Sequence, residues 1–324
     1  MRKVLILGGN RWLGARVAAR CLAAGDEVTC LARTETPLVP AGARLVQADR
    51  RRPGAYDSVL DDWDEVVELA WATDVVDSAL QALGDRAAHW TLVSTVSVYA
   101  RNDEPNADEA AAVVDPVDLD DYGQAKVAGE RAAAERVGDR LLIVRPGLIA
   151  GPGDPSDRFG YWPARLRRGG DVLVPGADGL RVQVIDVDDL ADFVVSAGRN
   201  GVTGVVNAVG ESLPFADVLA RTAEVAGFAG RLVPAPEEWL LEHDVRYWMG
   251  ERSLPLWLPE GEVGFATRSN AAYRAAGGVV RPLGDTIARV QQDEVERGLE
   301  RVRRSGLAED DERALLAELR GSQV

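Results

Sequence analysis

The chain has 324 residues, of which 46% are hydrophobic, and its formal net charge is −15. A strongly acidic chain of this size can bury a large core but is a poor partner for nucleic acid or anionic membranes, so neither is expected. No apolar run reaches the roughly 20 residues that a membrane span needs. The two cysteines and two histidines show no metal-ligand spacing. We therefore expect a cytoplasmic protein without a metal site.

The first predicted elements are a buried strand, a glycine-rich turn and a helix. Apolar residues 4–7 precede the turn, and an Ala/Arg-rich stretch then continues to Ala24. Such a turn brings backbone N–H groups to a pyrophosphate at the helix N-terminus. The residues expected to bind a dinucleotide here are Gly8, Gly9, Asn10, Arg11, Trp12, Leu13 and Gly14. An ordinary tight strand–helix turn is the alternative interpretation.

The second predicted strand, residues 27–32, ends immediately before Arg33. An acidic side chain at this position would bind the adenosine ribose hydroxyls, whereas an arginine suits a 2′-phosphate. Arg33 therefore favours NADP(H) as the cofactor, with NAD(H) as the alternative.

Strand and helix signals continue to alternate along the chain. Further apolar strands are predicted at residues 44–48, 65–70, 90–93 and 141–144. Their separation by polar segments of helical length predicts an α/β fold, a Rossmann-type doubly wound parallel sheet. In such a sheet, ligands bind at the carboxyl ends of the strands. The residues expected at that edge include Gly8, Arg33, Asp49, Ala70, Thr95 and Pro146.

Tyr122 and Lys126 carry the clearest chemical signal, because the chain has only one other lysine, Lys3. Residues i and i+4 of a helix lie on the same face. A lysine cation near a phenol lowers the phenol pKa from about 10 toward neutrality. Such a tyrosine can exchange a proton with a carbonyl or an alcohol. An ordinary pair on a helix surface is the alternative interpretation.

Together these features resemble the short-chain dehydrogenase/reductase superfamily, and most closely its extended, epimerase/dehydratase-type branch. The resemblance covers residues 2 to 210 or so. It rests on the glycine turn, Asp49, Leu69-Ala70, Ser94-Thr95-Val96-Ser97-Val98-Tyr99, Tyr122-x-x-x-Lys126, Arg145-Pro146-Gly147 and the run 185–191. Each motif is weak by itself, and their shared order makes the resemblance specific.

The resemblance implies a role for each matching residue. Tyr122 would be the catalytic acid/base, Lys126 would lower its pKa and hold the nicotinamide ribose, and the Thr95 hydroxyl would bond the reacting oxygen. A strand-end hydroxyl that only caps the backbone is the alternative for Thr95. Further implied cofactor-binding residues are Asp49, Leu69, Ala70, Pro146 and Leu148. The resemblance also implies a small-molecule substrate and a homodimer formed through the helix 122–137.

Several departures from the branch's pattern narrow the expected substrate. Sugar-nucleotide dehydratases carry an acidic pair directly after the catalytic threonine, where this chain has Val96-Ser97. Nucleotide-sugar epimerases favour an asparagine where Gly147-Leu148 stands and an arginine where Val182 stands. They also favour an acid at the position of Arg33. These differences predict that the substrate is not a nucleotide sugar undergoing epimerisation or dehydration.

Two domains are predicted. Residues 1–146 and 182–210 would form the dinucleotide-binding domain, and residues 147–181 and 211–324 a smaller, discontinuous C-terminal substrate lobe whose aromatic residues line an apolar pocket or form its own core. The expected function is NADP(H)-dependent hydride transfer between nicotinamide and a small carbonyl or hydroxyl compound. A nucleotide-sugar epimerase or dehydratase is the enzymatic alternative. A non-catalytic dinucleotide-sensing regulator or an RNA-binding member is the alternative of another class.

Overall fold

The computed structural model describes residues 1–33 and 38–321. The strands are β1 Lys3–Leu7, β2 Glu27–Ala32, β3 Arg44–Gln47, β4 Glu65–Glu68, β5 Trp90–Val93, β6 Leu141–Pro146, β7 Leu148–Ala150, β8 Asp171–Pro175, β9 Arg181–Asp186, β10 Gly204–Ala208, β11 Ser212–Pro214, β12 Arg231–Ala235, β13 Arg246–Trp248 and β14 Ser253–Pro255. The α-helices are α1 Trp12–Ala23, α2 Thr73–Leu83, α3 Tyr122–Val137, α4 Tyr161–Arg168, α5 Val187–Arg199, α6 Phe215–Ala226, α7 Glu237–Glu242, α8 Ala271–Ala275, α9 Leu283–Arg297 and α10 Glu309–Gly321.

Seven of the described strands form one parallel sheet in the order β10-β6-β5-β4-β1-β2-β3. The chain leaves β1 toward β2 and β3 and then returns to β4 on its other side, so the strand order reverses at β1. Helix α1 packs against α5, and α2 packs against α3. The predicted Rossmann-type, doubly wound α/β fold is therefore confirmed. Ligands of such folds bind beyond the carboxyl ends of the strands at this reversal.

A buried apolar cluster joins this sheet to its helices. Leu5, Val66 and Leu92 of three neighbouring strands contribute to it, together with Leu83 of α2 and Ala133 of α3. These strands read as nearly continuous apolar runs because a parallel sheet has both faces covered. Each large apolar side chain contributes about 1.5–3 kcal/mol when it is fully buried. The cluster thus fixes the strand ends that carry the site residues.

The described chain divides into two compact units, and their bounds differ from the predicted domains. The first unit comprises Met1–Ile149, Val187–Gly210 and Arg268–Val280, and the second comprises Ala150–Asp186, Glu211–Thr267 and Arg281–Val324. Residues 182–186 of strand β9, assigned from sequence to the dinucleotide-binding domain, thus lie in the second unit. Residues 147–149 and 268–280, assigned to the substrate lobe, lie in the first.

Hydrogen bonds and one ring contact explain the two larger differences. Strand β9 pairs antiparallel with β11, with Gln183 opposite Ser212. In the segment 268–280, the Tyr273 ring is buried against Phe193 of α5, with their centroids 4.6 Å apart. The Ser269 N–H of the same segment donates to the Ala107 carbonyl at 3.0 Å. These partners lie far apart in sequence, so periodicity within a short window could not reveal them.

The second unit has a core of its own. Helices α4, α6 and α9 pack on one another, and the Trp162 and Phe215 rings meet edge to face with centroids 5.5 Å apart. Phe159, Trp162 and Trp257 are each at most 2% exposed. The aromatic residues of this region are expected from the sequence either to line an apolar pocket or to form a core. These three buried side chains form part of a core.

Candidate active site

The glycine turn follows β1 and leads directly into α1. Gly8 has a φ of +101°, which L side chains rarely adopt. A Cβ on Gly14 would lie 2.5 Å from the Gly8 carbonyl oxygen, and a Cβ on Gly9 would lie 2.5 Å from Cys30 Sγ. The helix cap residue Arg11 makes no side-chain capping hydrogen bond. A helix N-terminus that begins in this way suits an anionic pyrophosphate, because its backbone N–H groups and its dipole both favour negative charge.

Leu69 and Ala70 lie at the end of β4, beside this turn. The Leu69 N–H donates to the Leu7 carbonyl at 3.3 Å. The Leu69 side chain is so close that a Cβ on Gly14 would lie 2.9 Å from its Cδ1 atom. The structure therefore brings together two sequence-predicted parts of a dinucleotide site, the glycine turn and the β4 end.

The other predicted cofactor residues lie at the ends of neighbouring strands. Arg33 directly follows β2 and is exposed, and its carbonyl accepts a hydrogen bond from Gln47 Nε2 at 3.2 Å. Asp49 follows β3 and is half-buried. Pro146 ends β6, and Leu148 is 4% exposed. All four belong to the first unit, and their contact with a cofactor stays a prediction.

Tyr122 is the first residue of α3. Asp121 caps this helix, because its carboxylate accepts the Gln124 N–H at 2.9 Å. The Tyr122 side chain is 46% exposed. Its ring lies beside that of Trp71, with centroids 6.2 Å apart and planes inclined by 56°. A half-exposed phenol at the start of a capped helix is held in place while its ring stays open to solvent.

Lys126 lies one turn further along α3 and is buried. Its Nζ atom donates to the Ala70 carbonyl at 2.8 Å and to the Val93 carbonyl at 2.6 Å. Burial lowers the pKa of the Lys126 ammonium to about 8, although the charges of Glu68 and Glu130 raise it. An ammonium has three donors, and two of them are used by the ends of β4 and β5. Tuning of the Tyr122 pKa by this lysine stays a prediction.

Thr95 follows β5 and is buried. Its hydroxyl oxygen accepts the Ser97 N–H at 3.1 Å and donates to Ser97 Oγ at 3.2 Å. It thereby caps the short 3₁₀ helix Val96–Val98. These bonds correspond to the capping role, the alternative interpretation of this residue. To polarise a reacting oxygen, Thr95 would have to release Ser97 Oγ, because a hydroxyl has one donor.

Sequence reasoning missed a buried ion pair beside this site. The Glu68 carboxylate, with no exposed surface, accepts bonds from Arg50 Nη1 at 2.6 Å and Nη2 at 3.0 Å. It also accepts the Ala70 N–H at 2.7 Å. A signal was available, because Glu68 interrupts an apolar strand and charged residues are almost never fully buried unless they are paired.

A second missed network anchors α3 to the sheet. Glu130, one turn beyond Lys126, accepts from Arg145 Nε at 3.0 Å and from Arg145 Nη2 at 2.6 Å. Ser94 Oγ donates to the same carboxylate at 2.5 Å. The Arg145 Nη1 atom also donates to the Tyr99 hydroxyl at 3.1 Å. The helix that carries Tyr122 is therefore tied to β5 and β6 by buried polar groups.

The part of the chain that the structure describes shows neither a cluster of metal ligands nor an activated thiol. No three or more His, Cys, Asp or Glu side chains there are placed to hold a metal ion. Burial raises the pKa of both Cys21 and Cys30 to about 12, which makes them poor nucleophiles near neutral pH. Across the described residues, no helix combines the length and the apolar character needed to span a membrane.

Comparison with known proteins identifies the family. The NAD dependent epimerase/dehydratase family matches residues 4–85 and 72–210. A curated relative, dTDP-6-deoxy-L-talose 4-dehydrogenase (NAD(P)(+)) of Kitasatospora kifunensis, is 27% identical over 271 residues, which are 72% of this chain and 83% of the relative.

Solved structures agree on the fold. The UDP-N-acetylglucosamine 4-epimerase from Bacillus cereus has a TM-score of 0.70 at 16% identity, covering 94% of this chain and 100% of that chain. The UDP-glucuronic acid 4-epimerase from Bacillus cereus, in complex with NAD, has a TM-score of 0.68 at 15% identity, covering 91% and 99%. The resemblance drawn from the motifs is confirmed. The chain is an NAD(P)-dependent enzyme of the epimerase, dehydratase and dehydrogenase type and belongs to the NAD dependent epimerase/dehydratase family.

Proposed function

We propose that this enzyme transfers a hydride between a nicotinamide dinucleotide and a carbonyl or hydroxyl carbon of a small substrate, with Tyr122 as the acid/base. The observation that carries the proposal is the arrangement on α3. A half-exposed phenol begins the helix, and one turn later a buried ammonium is held by two strand-end carbonyls. Residues four apart on a helix lie on the same face, which supports a role for the Tyr122 hydroxyl in proton exchange beside a fixed cation.

Each residue has a separate task in this proposal. A bound nicotinamide supplies or accepts the hydride. In the reducing direction, the Tyr122 hydroxyl gives its proton to the oxygen of the carbonyl as that oxygen gains charge. Lys126 stabilises the phenolate left behind, and its third N–H donor is available to a ribose hydroxyl. Thr95, once it releases Ser97, donates a hydrogen bond to the reacting oxygen.

The first prediction concerns the cofactor. Because Arg33 is exposed directly after β2, it is suited to bind a 2′-phosphate, and we expect NADP(H) to bind more tightly than NAD(H). An Arg33→Asp variant should lose that preference by about tenfold or more, since a charge-assisted hydrogen bond contributes about 1.5–3 kcal/mol. Calorimetric titration with both cofactors measures the two affinities.

An exposed arginine at the other end of the neighbouring strand provides the control. Arg44 begins β3, so Arg44→Asp changes the net charge equally without touching the carboxyl edge, and it should leave the ratio of the two affinities unchanged. Equal binding of both cofactors by the natural chain, or a preference for NAD(H), would refute the assignment of Arg33.

Nucleotide sugars form the second candidate substrate class. Favouring it, the curated relative is named as a dTDP-sugar dehydrogenase, and the two solved structures described above are named as UDP-sugar epimerases. Against dehydration, the acid expected after Thr95 is replaced by Val96, which is 1% exposed, and by Ser97, which is bonded to Thr95. Net oxidation or reduction of a nucleotide sugar would satisfy both observations.

The second prediction separates these reactions by the balance of the cofactor. Hydride transfer consumes one dinucleotide for each product molecule, whereas epimerisation and dehydration return the cofactor to its starting state. We expect product and changed cofactor to appear in equal amounts when small ketones, alcohols and common UDP-, GDP- and dTDP-sugars are screened by absorbance and mass spectrometry. Conversion of a nucleotide sugar without net change in the cofactor would instead establish the epimerase or dehydratase alternative.

A further inference from the structure

Glu68 is a carboxylate buried at the last residue of β4, inside the first unit. It has no exposed surface, and an isolated buried carboxylate is very costly unless it is paired and hydrogen-bonded. Arg50 forms two hydrogen bonds with it, and the Ala70 N–H forms a third. All three donors approach from residues outside the strand, so the carboxylate organises the chain immediately beyond the end of β4.

Ala70 connects this carboxylate to Lys126. Its N–H donates to Glu68 Oε1 at 2.7 Å, and its carbonyl accepts Lys126 Nζ at 2.8 Å. The two carbonyls that accept from the ammonium, those of Ala70 and Val93, are neutral. A buried cation bonded to neutral groups needs a negative charge nearby to remain protonated.

Two carboxylates act on Lys126 from the elements around it. Glu68 comes from β4 and has the larger effect, and Glu130 comes from α3 itself. Both raise the pKa of Lys126 against its burial, which lowers that pKa to about 8. Each carboxylate also forms an ion pair with an arginine, Arg50 for Glu68 and Arg145 for Glu130.

We propose that Glu68 is a positioning residue for Lys126. Glu68 fixes the turn at Ala70 whose carbonyl binds the ammonium, and it supplies a negative charge near that cation. Its effect on turnover rests on the proposed function, in which Lys126 must be charged to stabilise the Tyr122 phenolate. Its effect on the protonation of Lys126 does not rest on that function, so the two can be tested separately.

The third prediction uses the scarcity of lysine. Because the chain holds only Lys3 and Lys126, isotope-labelled lysine gives two side-chain NMR signals, and a Lys3→Arg variant assigns them. Glu68→Gln keeps an oxygen that can accept the Ala70 N–H but removes the charge. The NMR titration should then show a lower pKa for Lys126 than in the natural chain, whereas Glu68→Asp, which keeps the charge, should return it toward the natural value.

Two further variants control for structural damage. Glu312 in the second unit is a buried carboxylate paired with Arg165, so Glu312→Gln is a matched loss of charge that should leave the Lys126 titration unchanged. If Glu68→Gln alone does not fold because Arg50 is left unpaired, the neutral double variant Arg50→Gln/Glu68→Gln should fold. That variant should also lower the pKa, because it removes the Glu68 charge that raises the pKa of Lys126.

The outcomes are distinct. An unchanged Lys126 titration in folded Glu68→Gln, or in the double variant, would overturn the inference. A lowered Lys126 pKa supports the inference. The pKa that reflects Lys126 in the pH profile of hydride transfer should then also be lower. A lowered pKa without any change in that pH dependence would support the role of Glu68 and contradict the proposed use of Lys126 in catalysis.

Discussion

A Tyr122→Phe variant should lose turnover by about 10²–10⁴-fold, the usual contribution of general acid catalysis, and should still fold and bind the dinucleotide. The substitution removes one hydroxyl from a side chain that is 46% exposed. It leaves the ring beside Trp71 and the Asp121 cap of α3 in place. Steady-state kinetics on the substrate found by the cofactor screen, together with calorimetry for the dinucleotide, measure the two effects.

Comparison variants separate the chemical step from binding. Lys126→Ala should lower the rate and also weaken dinucleotide binding, because in the proposed function one ammonium serves both tasks. Thr95→Val should slow the reaction more than it weakens binding, whereas Thr95→Ser keeps the hydroxyl and should retain most activity. Tyr273→Phe removes a buried hydroxyl from α8 and should leave turnover near the natural value. If the Tyr122→Phe enzyme kept natural activity, the assignment of Tyr122 as the acid/base would fail, and another group would have to exchange the proton.

An Arg145→Met variant should destabilise the first unit by about 3–5 kcal/mol, the usual result of breaking a buried ion pair by removing one partner. Arg145 is 5% exposed and bonds both oxygens of Glu130. Its removal would leave the Glu130 carboxylate buried with Ser94 Oγ and without its cation. Urea unfolding followed by circular dichroism and by exchange of the β6 amides measures the loss.

The Arg145–Glu130 pair also holds α3 in position, so its loss should also affect Tyr122 and Lys126, which this helix carries. The Glu130→Leu/Arg145→Met double variant removes both charges, and it should recover much of the stability lost in the single variant. The exposed pair of Arg101 and Asp103 is the matched control, because solvent screens an exposed ion pair and Arg101→Met should change the stability far less. A loss in Arg145→Met no larger than in Arg101→Met would show that the buried network does not anchor the helix.

The sequence by itself determined the fold class and the order of the site residues. The turn at Gly8 and Gly14 is readable because Gly8 has a φ of +101°, which L side chains rarely adopt, and a Cβ on Gly14 would lie 2.5 Å from the Gly8 carbonyl oxygen. The parallel strands are readable because their apolar runs have the length and spacing of buried strands. The shared face of Tyr122 and Lys126 is readable because residues i and i+4 lie on the same side of any α-helix. Each of these signals lies within a short window, so no knowledge of distant contacts was needed.

Only the tertiary structure decided which groups surround the candidate site residues. Lys126 is held by carbonyls 56 and 33 residues away, and Glu68 and Arg50 pair across 18 residues. The same applies to the segment 268–280, whose membership of the first unit depends on contacts with α5. Charge pairing and burial depend on which segments the fold brings together. A local sequence pattern does not indicate which distant segments are in contact. The hydrogen bonds around a buried charge therefore had to be read from the structure.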